Sequence, residues 1–437
     1  SSIRIVIRSG GGASLPWPWF HLAPKWSMDE CLPCLIWERA FACLSAEDLL
    51  FARLVDRIAP ELVERAAAKI VASERTRALS LAPGWAPKVH WLHALAEAQA
   101  PLRLVAVGGY NSEHFDHDYV HQAGDGDGCE CSVEAVCFLE NSFCGRSWGG
   151  PLPRMRERRA DLAVVRGNEP CKLYALGGRN GMQRHASVEV LDLIHWRLSG
   201  HDAERAWEPL QPMTIGRSGL TAGLARGNRL IAAGGRASHH GVVGEAEYLN
   251  LDGPSDAGWA SLGSMREARE YVASAVVDGD QFWVFGGGAH GGSNTVEVLD
   301  LETGCWRQGP AMRSARWGAG AVWHNGRLFV AGGSAHFGRR QLTTLEVLDP
   351  REAGEWQLHP FPTPPGRGYS ASLWGASVAA RGHDLFLCGG VYREAEESQQ
   401  SIFRIDMRTM ELEILRDAAG QAIRLGVPRW CGGACLI

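Results

Sequence analysis

The sequence predicts an all-β repeat protein whose units close into a ring, with a small α-helical segment ahead of the repeats. The 437 residues include 53 Gly and 21 Pro, and turn-forming residues at this level favour many short strands. An apolar run ending in Gly-Gly occurs six times, and a second strand-like run follows each one. Trp, of which the chain has 17, follows most of these second runs. The pattern disfavours a helical bundle and a coiled coil.

The six apolar runs are LVAVGG, LYALGG, LIAAGG, FWVFGG, LFVAGG and LFLCGG. Their spacing of about 56 residues lies in the range of repeats built from one supersecondary unit. We predict that each glycine pair ends a strand where neighbouring backbones leave no room for a Cβ. The predicted structural glycines are Gly108, Gly109, Gly177, Gly178, Gly234, Gly235, Gly286, Gly287, Gly332, Gly333, Gly389 and Gly390.

The second strand of each unit follows a polar loop, as in SVEVLDL (187–193) and TVEVLDL (295–301). Asn-Gly and Asp-Gly turns, as in HNGR (324–327), supply the positive φ of two-residue hairpins, so each unit has about four short strands. One four-stranded sheet cannot bury both faces alone, so units must pack on each other. Indoles bury large apolar areas, and we predict that five of them pack between successive sheets. These are Trp148, Trp207, Trp259, Trp306 and Trp356.

This order of Arg, two apolar strands, Gly-Gly, loop, VEVLDL-like strand and Trp resembles the kelch repeat over residues 102–437. Kelch arrays form β-propellers with four-stranded blades, so the resemblance implies an all-β, six-bladed β-propeller of the kelch type. The last residues, RWCGGACLI (429–437), match the opening strand RWGAGAVWH (316–324). We predict that they complete the first blade and leave no unpaired edge. The sixth unit departs from the pattern, because 407–415 has no Trp.

The first hundred residues have a different character. Residues 1–28 are aperiodic and stay unassigned or flexible, whereas apolar residues at helical spacing predict a three-helix unit over 29–78, followed by a linker over 79–101. Part of this unit resembles an F-box, which implies docking on a Skp-type adaptor of a cullin-RING ubiquitin ligase through 29–71. The alternative is a helical cap on the propeller edge. The residues that carry the resemblance are Leu32, Pro33, Ile36, Phe41, Leu44, Leu49, Leu50 and Val55.

Signals for catalysis are weak. No Ser/His/Asp arrangement, phosphate-binding loop or dinucleotide fingerprint lies on a suitable strand–turn–helix, so we predict neither an enzyme nor a cofactor. Cys31 and Cys34 form a C-x2-C without a second pair. One loop groups possible transition-metal ligands, but we favour a solvated loop and predict no metal site. Its residues are His114, Asp116, His117, Asp118, His121, Asp125, Asp127, Cys129 and Cys131.

Charge and composition limit the partners. A net charge of −5 gives no case for nucleic-acid binding, and no apolar run reaches the roughly 18–20 residues of a membrane span. The 12 Cys include several in apolar runs, which is typical of free, buried thiols. No signal-peptide pattern opens the chain, so we expect a cytoplasmic protein, with the nucleus as a further location.

The predicted ligand site lies on the face where the post-diglycine loops emerge, together with the segments that enter the next inner strands. An arginine ring there would focus positive potential and suit carboxylates or phosphates. We predict an acidic or phosphorylated peptide, bound more tightly at about pH 6 than at about pH 8 because rim histidines become charged. The residues are Arg159, Arg217, Arg269, Arg316, Arg367, Arg429, His185, His239, His240, His290 and His336, joined by His114, His117 and His121. In the other interpretation, the arginines pair with nearby carboxylates and the histidines are solvated.

The first function hypothesis is therefore a protein-interaction module that serves as the substrate-recognition subunit of a cullin-RING ligase. A kelch scaffold without a ligase role is the alternative, and a propeller enzyme is the third.

Overall fold

The computed structural model describes residues of the C-terminal part of the chain, where the repeats lie. The chain divides into two units, Ser1–Gln99 and Ala100–Ile437, and all described residues belong to the second. The predicted helical segment, the linker and the eight F-box-like residues lie outside the described residues. The described ranges are 102–111, 132–138, 152–168, 172–193, 206–336, 341–352, 354–361, 373–390, 402–416, 420–425 and 429–436.

The described residues form thirty strands. The first sixteen are β1 (Leu102–Val107), β2 (Tyr110–Asn111), β3 (Val133–Phe138), β4 (Ala163–Arg166), β5 (Lys172–Leu176), β6 (Arg179–Asn180), β7 (Gln183–Arg184), β8 (Val188–Asp192), β9 (Trp207–Leu210), β10 (Arg217–Ser218), β11 (Thr221–Ala225), β12 (Arg229–Ala233), β13 (Arg236–Ala237), β14 (Gly241–Val242), β15 (Glu245–Asn250) and β16 (Ala260–Ser264). The others are β17 (Ala273–Val277), β18 (Gln281–Phe285), β19 (Val296–Asp300), β20 (Trp306–Gln308), β21 (Gly320–His324), β22 (Arg327–Ala331), β23 (Thr344–Leu348), β24 (Gln357–Pro360), β25 (Ser377–Arg381), β26 (Asp384–Cys388), β27 (Ile402–Asp406), β28 (Glu411–Ile414), β29 (Arg429–Trp430) and β30 (Gly433–Leu436).

Most strands belong to antiparallel sheets in which chain neighbours pair. Within the described ranges, five sheets have four strands, in the orders β4-β5-β8-β9, β11-β12-β15-β16, β17-β18-β19-β20, β21-β22-β23-β24 and β25-β26-β27-β28. A further sheet has the order β3-β1-β30. The prediction of an all-β fold built from many antiparallel sheets is confirmed, and the arrangement is that of a kelch-type β-propeller.

Burial falls from the inside of each sheet to the outside. The second strand of a sheet is buried on both faces, as in β18, because sheets pack on each of its sides. The fourth strand is largely exposed, as in β16. The first strands of the sheets contact one another in the order β4, β11, β17, β21, β25, β30 and again β4. This cycle surrounds a cavity lined mainly by small side chains.

The diglycines lie where two segments cross. Gly177 and Gly178 have φ values of +59° and +88°. A Cβ on Gly177 would lie 2.6 Å from the carbonyl oxygen of Arg217, and one on Gly178 would lie 2.8 Å from that of Ala160. Both the dihedral angle and the close approach therefore require glycine.

Indoles tie outer strands to neighbouring segments. Trp207 and Trp356 are each 1% exposed, and their Nε1 groups donate hydrogen bonds of 2.9 Å to the carbonyl oxygens of Pro153 and Pro310. Trp259 makes the equivalent bond to Gln211, whereas Trp306 is only half-buried. Trp148 lies outside the described residues.

Six residues form a closed cycle of backbone hydrogen bonds at one end of the cavity, which we call the closing ring. Each N–H group donates to the carbonyl oxygen of the preceding member at 2.8–3.0 Å, and the N–H of Asp161 donates to the last member, Cys431. All six have φ between +50° and +72°. The closing ring consists of Asp161, Gly219, Tyr271, Gly318, Gly375 and Cys431.

Candidate binding face around the closing ring

The arginines that lead the repeats are buried. Arg159, Arg217, Arg269 and Arg316 are at most 1% exposed. Each pairs with the glutamate of the VEV-like strand of its own repeat. The pairs and their N–O distances are Arg159–Glu189 at 2.6 Å, Arg217–Glu247 at 2.5 Å, Arg269–Glu297 at 2.8 Å and Arg316–Glu346 at 2.9 Å.

The same guanidiniums also bind the backbone. In Arg316, Nη1 donates hydrogen bonds to the carbonyl oxygens of Gly332 at 2.7 Å and Thr344 at 3.1 Å. Burial lowers the pKa of Arg316, and Glu346 opposes this shift. The prediction that these four arginines face a ligand is therefore corrected, because their donors cross-link three segments of the repeat and have no access to solvent. These four arginines instead fit the other interpretation of the sequence, in which they form structural ion pairs with nearby carboxylates.

The sixth repeat lacks the ion pair. The N–H of Gly333 donates to the carbonyl oxygen of Leu373, as that of Gly287 does to Arg316, so Leu373 takes the arginine position. Phe403 pairs with Leu387 as Glu346 pairs with Val330, so Phe403 takes the glutamate position. Arg367 itself lies outside the described residues, and its ligand role stays a prediction. The backbone of Arg429 pairs with Asn111, and its ligand role stays a prediction.

The predicted histidines divide into two groups. His185 is only 8% exposed, and its Nδ1 lies 3.1 Å from a carboxylate oxygen of Glu157. Burial, and next the guanidinium of Arg159, lower the pKa of His185. The lowered pKa disfavours the charged form of His185, and the ligand role of this residue stays a prediction. The exposed histidines are His239, His240, His290 and His336, and their ligand role stays a prediction. His114, His117 and His121 lie outside the described residues.

A second arginine cluster lies beside the closing ring. Arg179 and Arg236 directly follow diglycines, and Arg184 ends the hairpin that Arg179 begins. Arg179 Nε donates to an oxygen of Asp161 at 2.7 Å, and Arg236 binds both oxygens of Glu270 at 2.8 and 2.7 Å. This cluster was not predicted from the sequence, although the position after Gly-Gly was a usable signal for two of its members.

Aromatic side chains occupy another part of the closing ring. The ring centroids of Tyr271 and Trp317 are 4.3 Å apart, and those of Trp317 and Trp374 are 5.4 Å apart with nearly parallel planes. Cys431 packs against this group. Burial and the Asp161 carboxylate raise the pKa of the Cys431 thiol well above its usual value, so the thiol is neutral. The face is thus aromatic on one side and charged on the other.

Within the described ranges, no group of three or more His, Cys, Asp or Glu side chains is arranged to hold a metal ion. The His- and Asp-rich loop of the sequence analysis lies outside these ranges. No helix within them is long and apolar enough to cross a membrane.

Comparisons with known proteins agree on the repeat. A family model described as the KLHDC2/KLHL20/DRC7 Kelch-repeats domain matches residues 160–390. An F-box/kelch-repeat protein of Arabidopsis thaliana is 30% identical over 170 residues, which cover 38% of this chain and 42% of that protein. Kelch-like protein 23 of Mus musculus is 26% identical over 256 residues, 58% of this chain and 39% of that protein. Beta-scruin of Limulus polyphemus is 28% identical over 153 residues, 33% of this chain and 16% of that protein. The chain thus matches less than half the length of each of these relatives.

Proposed function

The chain belongs to the kelch-repeat family, and on that premise we propose that it is a six-bladed propeller that recognises the target of a cullin-RING ubiquitin ligase. Its more general role, as a protein-interaction module, follows from the family and from relatives such as the kelch-like proteins. The observation that carries the proposal is the face around the closing ring, where a charged cluster and aromatic side chains lie together.

Six blades are supported by two independent cycles. One is the cycle of six first strands that contact one another, and the other is the closing ring of six residues. Each of the five four-stranded sheets contributes its first strand to the first cycle, and the sheet β3-β1-β30 contributes β30. The pairing of β30 with β1, in which Val105 lies opposite Cys435, brings the end of the chain into the same sheet as its first strand.

The ligase role rests on the N-terminal segment. Residues 29–71 resemble an F-box, and one relative carries the description F-box/kelch-repeat protein. In this proposal the segment binds a Skp-type adaptor while the propeller holds an acidic or phosphorylated peptide of the target. An interaction protein without a ligase role is the second candidate, because the kelch repeat by itself supports only a protein-interaction module.

A pulldown with a purified Skp adaptor tests the ligase role. We compare the intact chain with a chain lacking 29–71, and a chain lacking only 1–28 is the matched control. Stoichiometric capture of the intact chain and the control, lost with the 29–71 deletion, supports the proposal. Absence of capture by the intact, folded chain contradicts the ligase role and leaves the second candidate.

A further inference from the structure

Arg184 occupies a fixed place beside the closing ring. It ends the short hairpin formed by β6 and β7, in which Arg179 lies directly opposite Arg184. The backbone of Arg184 is held against the following repeat, because a Cβ on Gly216 would lie 2.6 Å from its carbonyl oxygen. The side chain is half-buried, so it is positioned by the fold and still reachable from solvent.

The guanidinium of Arg184 lacks the partners that its neighbours have. Its Nε group is buried and has no hydrogen-bond acceptor among the described residues. Arg179 donates to Asp161, and Arg236 binds both oxygens of Glu270. A buried donor without an acceptor is uncommon in folded proteins, and each case calls for an explanation such as an absent ion.

The carboxylates of the cluster pair with two of its three arginines. Among the described residues, Asp161 pairs with Arg179 and Glu270 pairs with Arg236, whereas no ion pair is described for Arg184. Burial lowers the pKa of Arg184, the charges of Arg179 and Arg236 lower it further, and the charges of Glu270 and Tyr271 oppose this shift only in part. The isolated protein therefore keeps a cation in a place that disfavours it, and an incoming anion relieves both the desolvation and the repulsion.

We propose that Arg184 is an anion-recognition residue that receives one carboxylate or phosphate group of a peptide bound at the closing ring. The proposal rests on the proposed function, because it takes this face as the face that binds the target. Arg179 and Arg236 reinforce the site by their charge, and the fork of Arg184 supplies the direct hydrogen bonds. Met182, at the tip of the same hairpin, is 67% exposed and offers an apolar contact for residues next to the anionic group.

Inorganic phosphate and acetate are the probes. Thermal unfolding of the full chain is measured while each anion replaces chloride at constant ionic strength. We compare Arg184→Gln with Arg226→Gln, a matched control whose side chain is 70% exposed and pairs weakly with Asp280. A ligand that binds only the folded state raises Tm in a concentration-dependent manner.

We expect phosphate or acetate to raise the Tm of the wild type and of Arg226→Gln, and Arg184→Gln to lose at least tenfold in apparent affinity. Without added anion, Arg184→Gln melts at or above the wild-type Tm, because the unpaired cation is gone. A response to phosphate alone points to a phosphorylated peptide, and a response to acetate points to a carboxylate side chain.

Two outcomes overturn the proposal. One is a wild type that responds to neither anion beyond chloride, and the other is an Arg184→Gln variant that responds as the wild type does. If Arg184→Gln does not fold, Arg184→Lys is the second variant, because it keeps the charge without the planar fork. A Tm response to the anions as large as that of the wild type in Arg184→Lys also contradicts the proposed role of Arg184. Adaptor capture through 29–71 does not depend on Arg184, so failure here is distinguishable from failure of the ligase role.

Discussion

The backbone N–H of Asp161 donates a hydrogen bond of 2.8 Å to the carbonyl oxygen of Cys431. This bond joins a residue that precedes β4 to one that precedes the last strand, β30. The neighbouring bond, from Cys431 N–H to Gly375, is 3.0 Å long. The closing ring is therefore complete only when the end of the chain is in place, which makes closure the first property to test.

Removal of residues 429–437 should abolish cooperative unfolding. The deletion strips β30 from β1, removes Cys431 from the closing ring and exposes the edge of a sheet. We expect aggregation or a broad transition in calorimetry. A chain lacking 1–28 serves as the control and should melt as the intact chain does. An unchanged, sharp transition after the C-terminal deletion would show that this strand does not hold the ring together.

Breaking one buried ion pair should destabilise the fold. Arg316→Leu leaves Glu346 charged and fully buried, which costs about 3–5 kcal/mol of unfolding free energy. In Arg316→Leu/Glu346→Phe, which copies Leu373 and Phe403 of the sixth repeat, the uncompensated charge is gone.

We expect a coupling energy of at least about 1 kcal/mol from this double-mutant cycle, measured by urea unfolding. The double variant should recover only part of the lost unfolding free energy. Glu346 also accepts hydrogen bonds from the N–H groups of Arg313 and Ser314, and Phe at this position cannot accept them. Additive losses would mean that the two side chains are not energetically paired. An Arg316→Leu variant with wild-type stability and weakened partner binding would restore a ligand role for the buried arginine.

The indoles should contribute to stability according to their burial. Trp356→Ala removes a side chain that is 1% exposed and its hydrogen bond to Pro310, so we expect a loss of about 3–5 kcal/mol. Trp306→Ala should cost less, because Trp306 is only half-buried and its bond to Leu262 is longer, at 3.2 Å. Chemical denaturation of the two variants gives the comparison. Equal losses would contradict the ranking by burial.

His185 should make stability depend on pH. Its pKa in the folded state lies below the reference value of 6.5, so the unfolded chain binds more protons between these two pKa values. The contribution of His185 is complete above about pH 6.5 and is lost as the pH falls through the folded-state pKa. We expect the slope of unfolding free energy against pH to decrease in this window for His185→Gln. His239→Gln, at an exposed position, is the control, and an equal change in both variants would reject the assignment.

Local signals were sufficient for the class of fold. The diglycines were predictable because Gly177 and its equivalents need a positive φ and have no room for a Cβ. Each of these requirements selects glycine at that position, so it is visible in the sequence. The VEVLDL strands and the indoles repeat in phase with the diglycines, so the antiparallel sheets followed from the same pattern. The interaction-module class then followed from the kelch repeat.

The chemistry of the binding face depended on contacts between distant parts of the chain. The residues next to Arg316 in the sequence do not show that its guanidinium pairs with Glu346 in the interior, where a ligand has no access to it. The sixth repeat shows the same limit, because Arg367 is the nearest arginine in sequence while Leu373 holds the position in space. Arg184 became a candidate only when the tertiary structure showed that its neighbours have carboxylate partners and its own Nε group has none. The sequence by itself determined which segments become strands, since backbone dihedral angles and apolar periodicity are local. The tertiary structure alone decided which arginines keep a charge available, since burial and pairing arise only when the repeats pack together.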